Sequence, residues 1–218
     1  MQRTLIFLAA LLFSIPAPAE PAPTTQSAEA EMSTPKKAML YADRKLQHEG
    51  VDQEMKLYHA VGEKQEKMAR AMAEADVALA KIESAVKEKF GQDPSQDVVH
   101  ALDGKTRADI ADATEEVDRE KANLKWKDDD EHSVPMIKVD NVWKISVAGM
   151  IEGQEEDELT AEIDASKKLT AETLNFAKKV QDGKYKSAED LVKSITKYMD
   201  ALHSDDKPAE KPEPKDKL

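Results

Sequence analysis

Met68, Met72, Ala75, Leu79, Ile82 and Val86 are spaced 4-3-4-3-4, and that spacing constrains the chain more than any other feature in it. Residues three and four apart share one face of an α-helix. The sequence therefore predicts a helix from about Glu63 to Phe90, stopped by Gly91. At 1.5 Å per residue such a helix is roughly 40 Å long. Its opposite face is rich in Lys, Glu, Asp and Arg. Other helices, a sheet or a partner chain must cover the apolar stripe.

The neighbouring segments carry their own punctuation. Thr34 suits an N-cap, Pro35 suits the first helical position, and Gly50 suits the residue just past the end. Asp52 can cap a second helix running through Met55, Leu57, Tyr58 and His59. Asp93-Pro94 opens a short helix through Val98, Val99 and Leu102. Further on, Leu159, Ile163, Leu169, Leu174, Phe176 and Val180 belong to a long helix that ends near Asp182-Gly183. Ser187 can cap a last helix with the stripe Leu191, Ile195, Tyr198 and Leu202.

Between these helical regions the period changes. Residues 111–117, 121–126, 134–139 and 142–147 alternate or are β-branched, with polar turns between them. Asp140-Asn141 fits a two-residue hairpin, because both residue types tolerate positive φ. That turn would pair Lys138 with Trp143, Met136 with Ile145 and Val134 with Val147. The expected fold class is α+β, mainly helical, with one antiparallel sheet of three or four strands.

Composition narrows the chemistry. With no Cys, the chain has no disulfide framework, thiolate metal site or cysteine nucleophile. A net charge of -12 argues against nucleic-acid binding, which needs a basic footprint. At the N-terminus, Arg3 precedes an apolar run from Leu5 to Ile15, and Ala17-Pro18-Ala19 follows. That arrangement reads as a secretory signal peptide over residues 1–19, cleaved near Ala19, giving an extracytoplasmic (periplasmic or secreted) protein. No Cys follows to accept a lipid and no other run could span a bilayer, so no membrane anchor is expected. Residues 20–33 read as a linker and 204–218 as a disordered tail, with a single domain over 34–203.

The helix pair, the long helix and the strands after it resemble the cone-shaped NTF2-like (SnoaL-like) superfamily. The residues that carry the likeness are Thr34-Pro35-Lys36-Lys37-Ala38, Glu115-Glu116-Val117-Asp118 before Lys121-Ala122-Asn123-Leu124, and the run Met136-Ile137-Lys138-Val139-Asp140-Asn141-Val142-Trp143-Lys144-Ile145. Asn141 stands where the family usually has Gly. The resemblance covers residues 34–150, leaving 155–203 as a helical extension. It implies a cone-like body, and Asp, Tyr or His side chains inside the cone in the enzymatic members.

No catalytic pattern of that family matches residue by residue. Tyr58 and His59 are the candidates for proton transfer, with Tyr41 and His100 behind them, since a His tuned near neutral pH serves as a general base. Trp126 and Trp143 are candidates for a ligand-stacking floor, against the alternative that both are core. Asp128-Asp129-Asp130-Glu131-His132 offers oxygen ligands but lacks a calcium-loop pattern. No His pair has metal-ligand spacing, so no metal and no cofactor are expected. The remaining Glu and Asp read as solvated helix surface, with no paired-carboxylate signature.

These features favour an exported, non-catalytic binding or interaction module, working through a cone pocket or the 68–86 face. The alternative is a cofactor-independent enzyme of the NTF2-like type. The C-terminal helices are expected to cover one apolar surface, leaving a monomer or weak homodimer.

Overall fold

The computed structural model describes residues 30–205 apart from 92, 103 and 128, and the side chains of 93, 129–132 and 203–205 are likewise outside it. The expected signal peptide, residues 20–29 of the expected linker and residues 206–218 of the expected tail lie outside the described residues. Among the described residues, no helix is long and apolar enough to cross a membrane.

Helix α1 (Pro35–Tyr41) starts as its sequence requires: Pro35 takes the first turn and the Thr34 hydroxyl accepts from the Lys37 N–H at 3.3 Å. It runs on through a π-helical turn (Ala42–Leu46) and a final turn (Gln47–Glu49). Gly50, at φ 102°, redirects the chain into α2 (Val51–Glu54) and a 3₁₀ turn (Met55–Leu57). Met32, within the stretch read as linker, is already buried, and its carbonyl accepts from the Trp143 N–H at 3.0 Å.

The second helix expected through Tyr58 and His59 does not extend that far. Those two residues form strand β1 (Tyr58–His59). The long helix follows as α3 (Glu63–Phe90), then α4 (Asp93–Ala101) and α5 (Arg107–Asp112). The sequence places a strand over 111–117, but Thr106 and Asp109 close a reciprocal capping box there. That box holds Arg107–Asp112 helical, and β2 (Thr114–Asp118) starts only afterwards.

Strands β3 (Lys121–Trp126), β4 (Asp129–Val139) and β5 (Val142–Ser146) complete the sheet, in the order β1-β5-β4-β3-β2. Here the expected antiparallel sheet of three or four strands is corrected. The sheet is mixed and has five strands, because β1 pairs in parallel with β5 through Tyr58↔Ile145 and His59↔Ser146. The reason is topological. β1 precedes the long helix and reaches β5 only through a long crossover, which permits the parallel direction that a hairpin forbids.

The β4–β5 hairpin has the expected turn and register. Asp140 and Asn141 take φ 50° and 63°, and Met136 faces Ile145 while Lys138 faces Trp143. Val134 and Val147 do not join the β4–β5 pairing, because Ser146 caps a short helix α6 (Val147–Met150) by accepting from the Gly149 N–H at 3.2 Å.

Helix α7 (Glu156–Gln181) packs along α3, and α8 (Ala188–Asp205) packs on α4. Two apolar clusters result. The first joins one sheet face (Ala122, Leu124, Met136, Trp143, Ile145) to α1 and the N-terminal half of α3. The second joins Ile82 and Val86 of α3 to Val98, Phe176, Val180, Leu191 and Ile195. Trp143 is 4% exposed, so Trp143→Ala should cost about 3–5 kcal/mol, the usual range for an aromatic lost from a core. Urea denaturation measures it, and a loss below about 1 kcal/mol would contradict the packing described.

Candidate functional site

A cleft of about 430 Å3 lies between α1, α3, α4, α5 and the end of β3. Its inner wall includes Ala42, Glu54, Leu57, Ile110 and Trp126, all buried, whereas His48, Lys87, Lys105 and Arg107 at its rim are exposed. The lining mixes apolar residues such as Leu57, Leu79, Val99 and Ile110 with polar and charged ones. The polar groups inside it are what give the cleft a chemistry.

Glu54 is completely buried, and neither of its side-chain oxygens meets a hydrogen-bond donor. Its neighbour is Asp76 of α3, itself in the lining. A carboxylate only accepts, so Glu54 can bond to Asp76 only by carrying a proton and donating it. Burial pushes the Glu54 carboxyl up to about 9, and the charges of Asp76 and Asp43 add to the effect. Burial also raises Asp76, to about 6, while hydrogen bonds from Tyr58 and Glu54 pull it back down. Tyr58 donates its hydroxyl to Asp76 Oδ2 at 2.5 Å. Burial and the two carboxyls hold the Tyr58 phenol well above its ordinary range, so it stays a donor. At neutral pH the arrangement is Tyr58–OH, Asp76 carboxylate, Glu54–COOH.

This cluster corrects the reading of Glu and Asp as solvated surface with no paired carboxylates. The signal was local. Within α3 the neighbours of Asp76 three and four residues away are Met72, Ala73, Leu79 and Ala80, all apolar. Around Glu54 the corresponding neighbours are Val51, Leu57, Tyr58 and Gly50. A carboxylate inside an apolar stripe is not on a wet face.

Of the sequence candidates, Tyr58 reaches the cluster from behind Asp76 without lining the cleft. His59, the next residue on β1, is half-buried and is not in the lining. Trp126 lines the cleft, with Lys105 Nζ 5.4 Å from its ring centroid. Trp143 belongs to the first apolar cluster and is not in the cleft. Tyr41 is buried elsewhere, beneath Lys45. The exposed His100 ties α4 to α5 through Asp109 at 2.9 Å. The acidic run at 128–132 lies, in its side chains, outside the described residues. Among the described residues, no group of three or more His, Asp or Glu could hold a metal ion.

A larger groove of about 570 Å3 runs beside α3 and α7, past Val77, Leu174 and Gln181. It holds no buried charged side chain. No protein-family model, curated protein or solved structure matches the chain.

Proposed function

We propose that the chain is a binding protein for a small organic molecule, held in the cleft bounded by Glu54, Asp76 and Trp126. The observation that carries this reading is Glu54, a fully buried carboxyl in the cleft lining whose oxygens meet no donor. Small-ligand sites are concave and combine apolar walls with convergent polar groups that fix orientation. The other surface considered, the 68–86 stripe, is less suited to a partner: Met68, Ile82 and Val86 are buried and α7 packs along the helix.

The paired carboxyls also favour a second reading, a cofactor-independent enzyme. An acid near 6 beside a protonated partner is suited to accept a proton at neutral pH. In that case Asp76→Asn should abolish turnover while leaving ligand binding measurable.

The n-region, apolar run and small residues over 1–19 support an exported protein. Intact-mass analysis of secreted material should begin near Glu20. The run of helix pair, long helix and strands underlies the NTF2-like assignment, which we also propose.

The binding reading is tested by a small-molecule screen followed by thermal melting. Compounds that raise the melting temperature should perturb amide-NMR signals of residues 54, 76 and 126. Ala80→Leu, which adds volume at a buried lining position, should weaken them at least tenfold without loss of helical circular dichroism. Compounds that stabilise this variant as well as the wild type would refute the site.

A further inference from the structure

We infer that the ligand of this cleft is an organic cation, an ammonium ion carried on an apolar or aromatic body. The inference rests on the small-molecule reading above and names the chemical class.

Acceptors outnumber donors at the inner wall. Glu54 and Asp76 present two carboxyl groups, and Tyr58 supplies one O–H to them. Neither Glu54 oxygen accepts from a donor, and the charges acting on it most strongly, Asp76 and Asp43, are both negative. What is missing there is a donor with positive charge. An ammonium ion has three donors and no acceptor.

Trp126 points to the same class. Its ring already has a cation beside it, Lys105 Nζ at 5.4 Å, within the usual cation–π distance. Leu57, Leu79, Val99 and Ile110 provide walls for an apolar body. An inorganic divalent ion fits less well, since it needs six or more oxygens and, among the described residues, no three His, Asp or Glu side chains are placed together to hold one. An anion would face Glu54, Asp76 and Asp43. A neutral molecule could donate an O–H or N–H to Glu54 but would bring no counter-charge to the Asp76 carboxylate.

Binding should also move a proton. In the free protein one proton bridges Glu54 and Asp76. A cation beside both groups favours their charged forms, so Glu54 gives up its proton to solvent as the ammonium docks. The balance is one ammonium bound and up to one proton released. The charged groups around the pair are Asp43, which is tied to Arg107 at 2.9 Å, and at the rim His48, Glu83, Lys87 and Lys105.

The test uses the full mature chain at pH 7.5 and matched probes on phenyl, cyclohexyl and indolyl bodies. Each body is tried as the ethylammonium, the ethanol and the acetate. Isothermal calorimetry in buffers of different ionisation enthalpy reads affinity and proton release together. At least one ammonium should bind tenfold or more tighter than its alcohol, with no binding of the acetate and a proton release approaching one. Asp76→Asn should weaken it at least tenfold. Glu54→Gln, which mimics the protonated side chain and keeps the fold, should weaken it similarly and reduce the proton release to near zero.

Alcohols that bind as tightly as ammonium ions would overturn the cation inference and leave the binding reading standing. Calcium ions that displace the ammonium with higher affinity would also overturn it. A complete absence of binding across the panel would count against both.

Discussion

Raising the pH from about 5 to about 9 should destabilise the folded chain by several kcal/mol, and Glu54→Gln should remove most of that loss. Glu54 is held protonated in the folded state, pushed up to about 9 from an ordinary 4.5. Between those values the native state binds a proton that the unfolded chain has released, so stability falls with rising pH. Each pH unit costs up to about 1.4 kcal/mol, and the full window costs at most ~6 kcal/mol. Asp76 shifts in the same direction over a lower range, from 3.8 to about 6. Its residue surface is partly exposed, so its contribution is smaller.

Below about pH 4 a different group acts. Burial works to raise Asp109, but hydrogen bonds from Thr106 and His100 outweigh it and hold the carboxyl below its usual range. Its stabilisation is present above the ordinary carboxylate pKa and is lost as pH falls. The stability optimum should therefore lie near pH 5. Urea denaturation across pH 4–10 checks the profile. Equal wild-type stability at pH 5 and pH 9 would mean that Glu54 holds no buried proton.

The parts of this fold legible in the sequence are those that local physics decides alone. Thr34-Pro35 and Gly50 bracket α1, Gly62 and Gly91 bracket α3, and Asp140-Asn141 sets the hairpin register that puts Met136 opposite Ile145. The parts that were not legible depend on distant partners. Tyr58 and His59 continue an amphipathic helical pattern and become a strand only because the β5 edge at Ile145 and Ser146 is there to pair with them. The strand expected at 111–117 lost its first half to a capping box whose two members, Thr106 and Asp109, lie outside the apolar alternation.

The site was half legible for the same reason. Tyr58 and Trp126 stood out by residue type. Glu54 and Asp76 did not, because 44 acidic residues make any two of them inconspicuous. Each sits among apolar helical neighbours, which marks it as buried. That they are buried against each other depends on how α2 packs against α3, and no spacing along the chain encodes that.

Ending the chain after Gly153 should leave a polypeptide without a cooperative fold. The truncation removes α7 and α8, and with them one whole side of the second apolar cluster. Phe176, Val180, Leu191 and Ile195 are each at most 3% exposed, and they cover Ile82, Val86 and Val98, which are fully buried. Burying one such side chain is worth about 1.5–3 kcal/mol. Losing four such side chains, about 6–12 kcal/mol, is comparable to the whole net stability of about 5–15 kcal/mol that a domain of this size holds. Ending the chain after Asp182 instead removes only α8, so Leu191 and Ile195 are lost while Phe176 and Val180 stay on α3. That shorter cut should give a folded but weakened protein, down by several kcal/mol, with the cleft at Glu54 and Asp76 intact. The mechanism is graded: α7 covers the stripe from Met68 to Val86, and α8 covers α4 beside it. Near-UV circular dichroism and urea denaturation separate the two products. A chain ending at Gly153 that unfolds cooperatively at the wild-type urea midpoint would show that α3 needs neither helix, and the heptad-like stripe would then require a different cover.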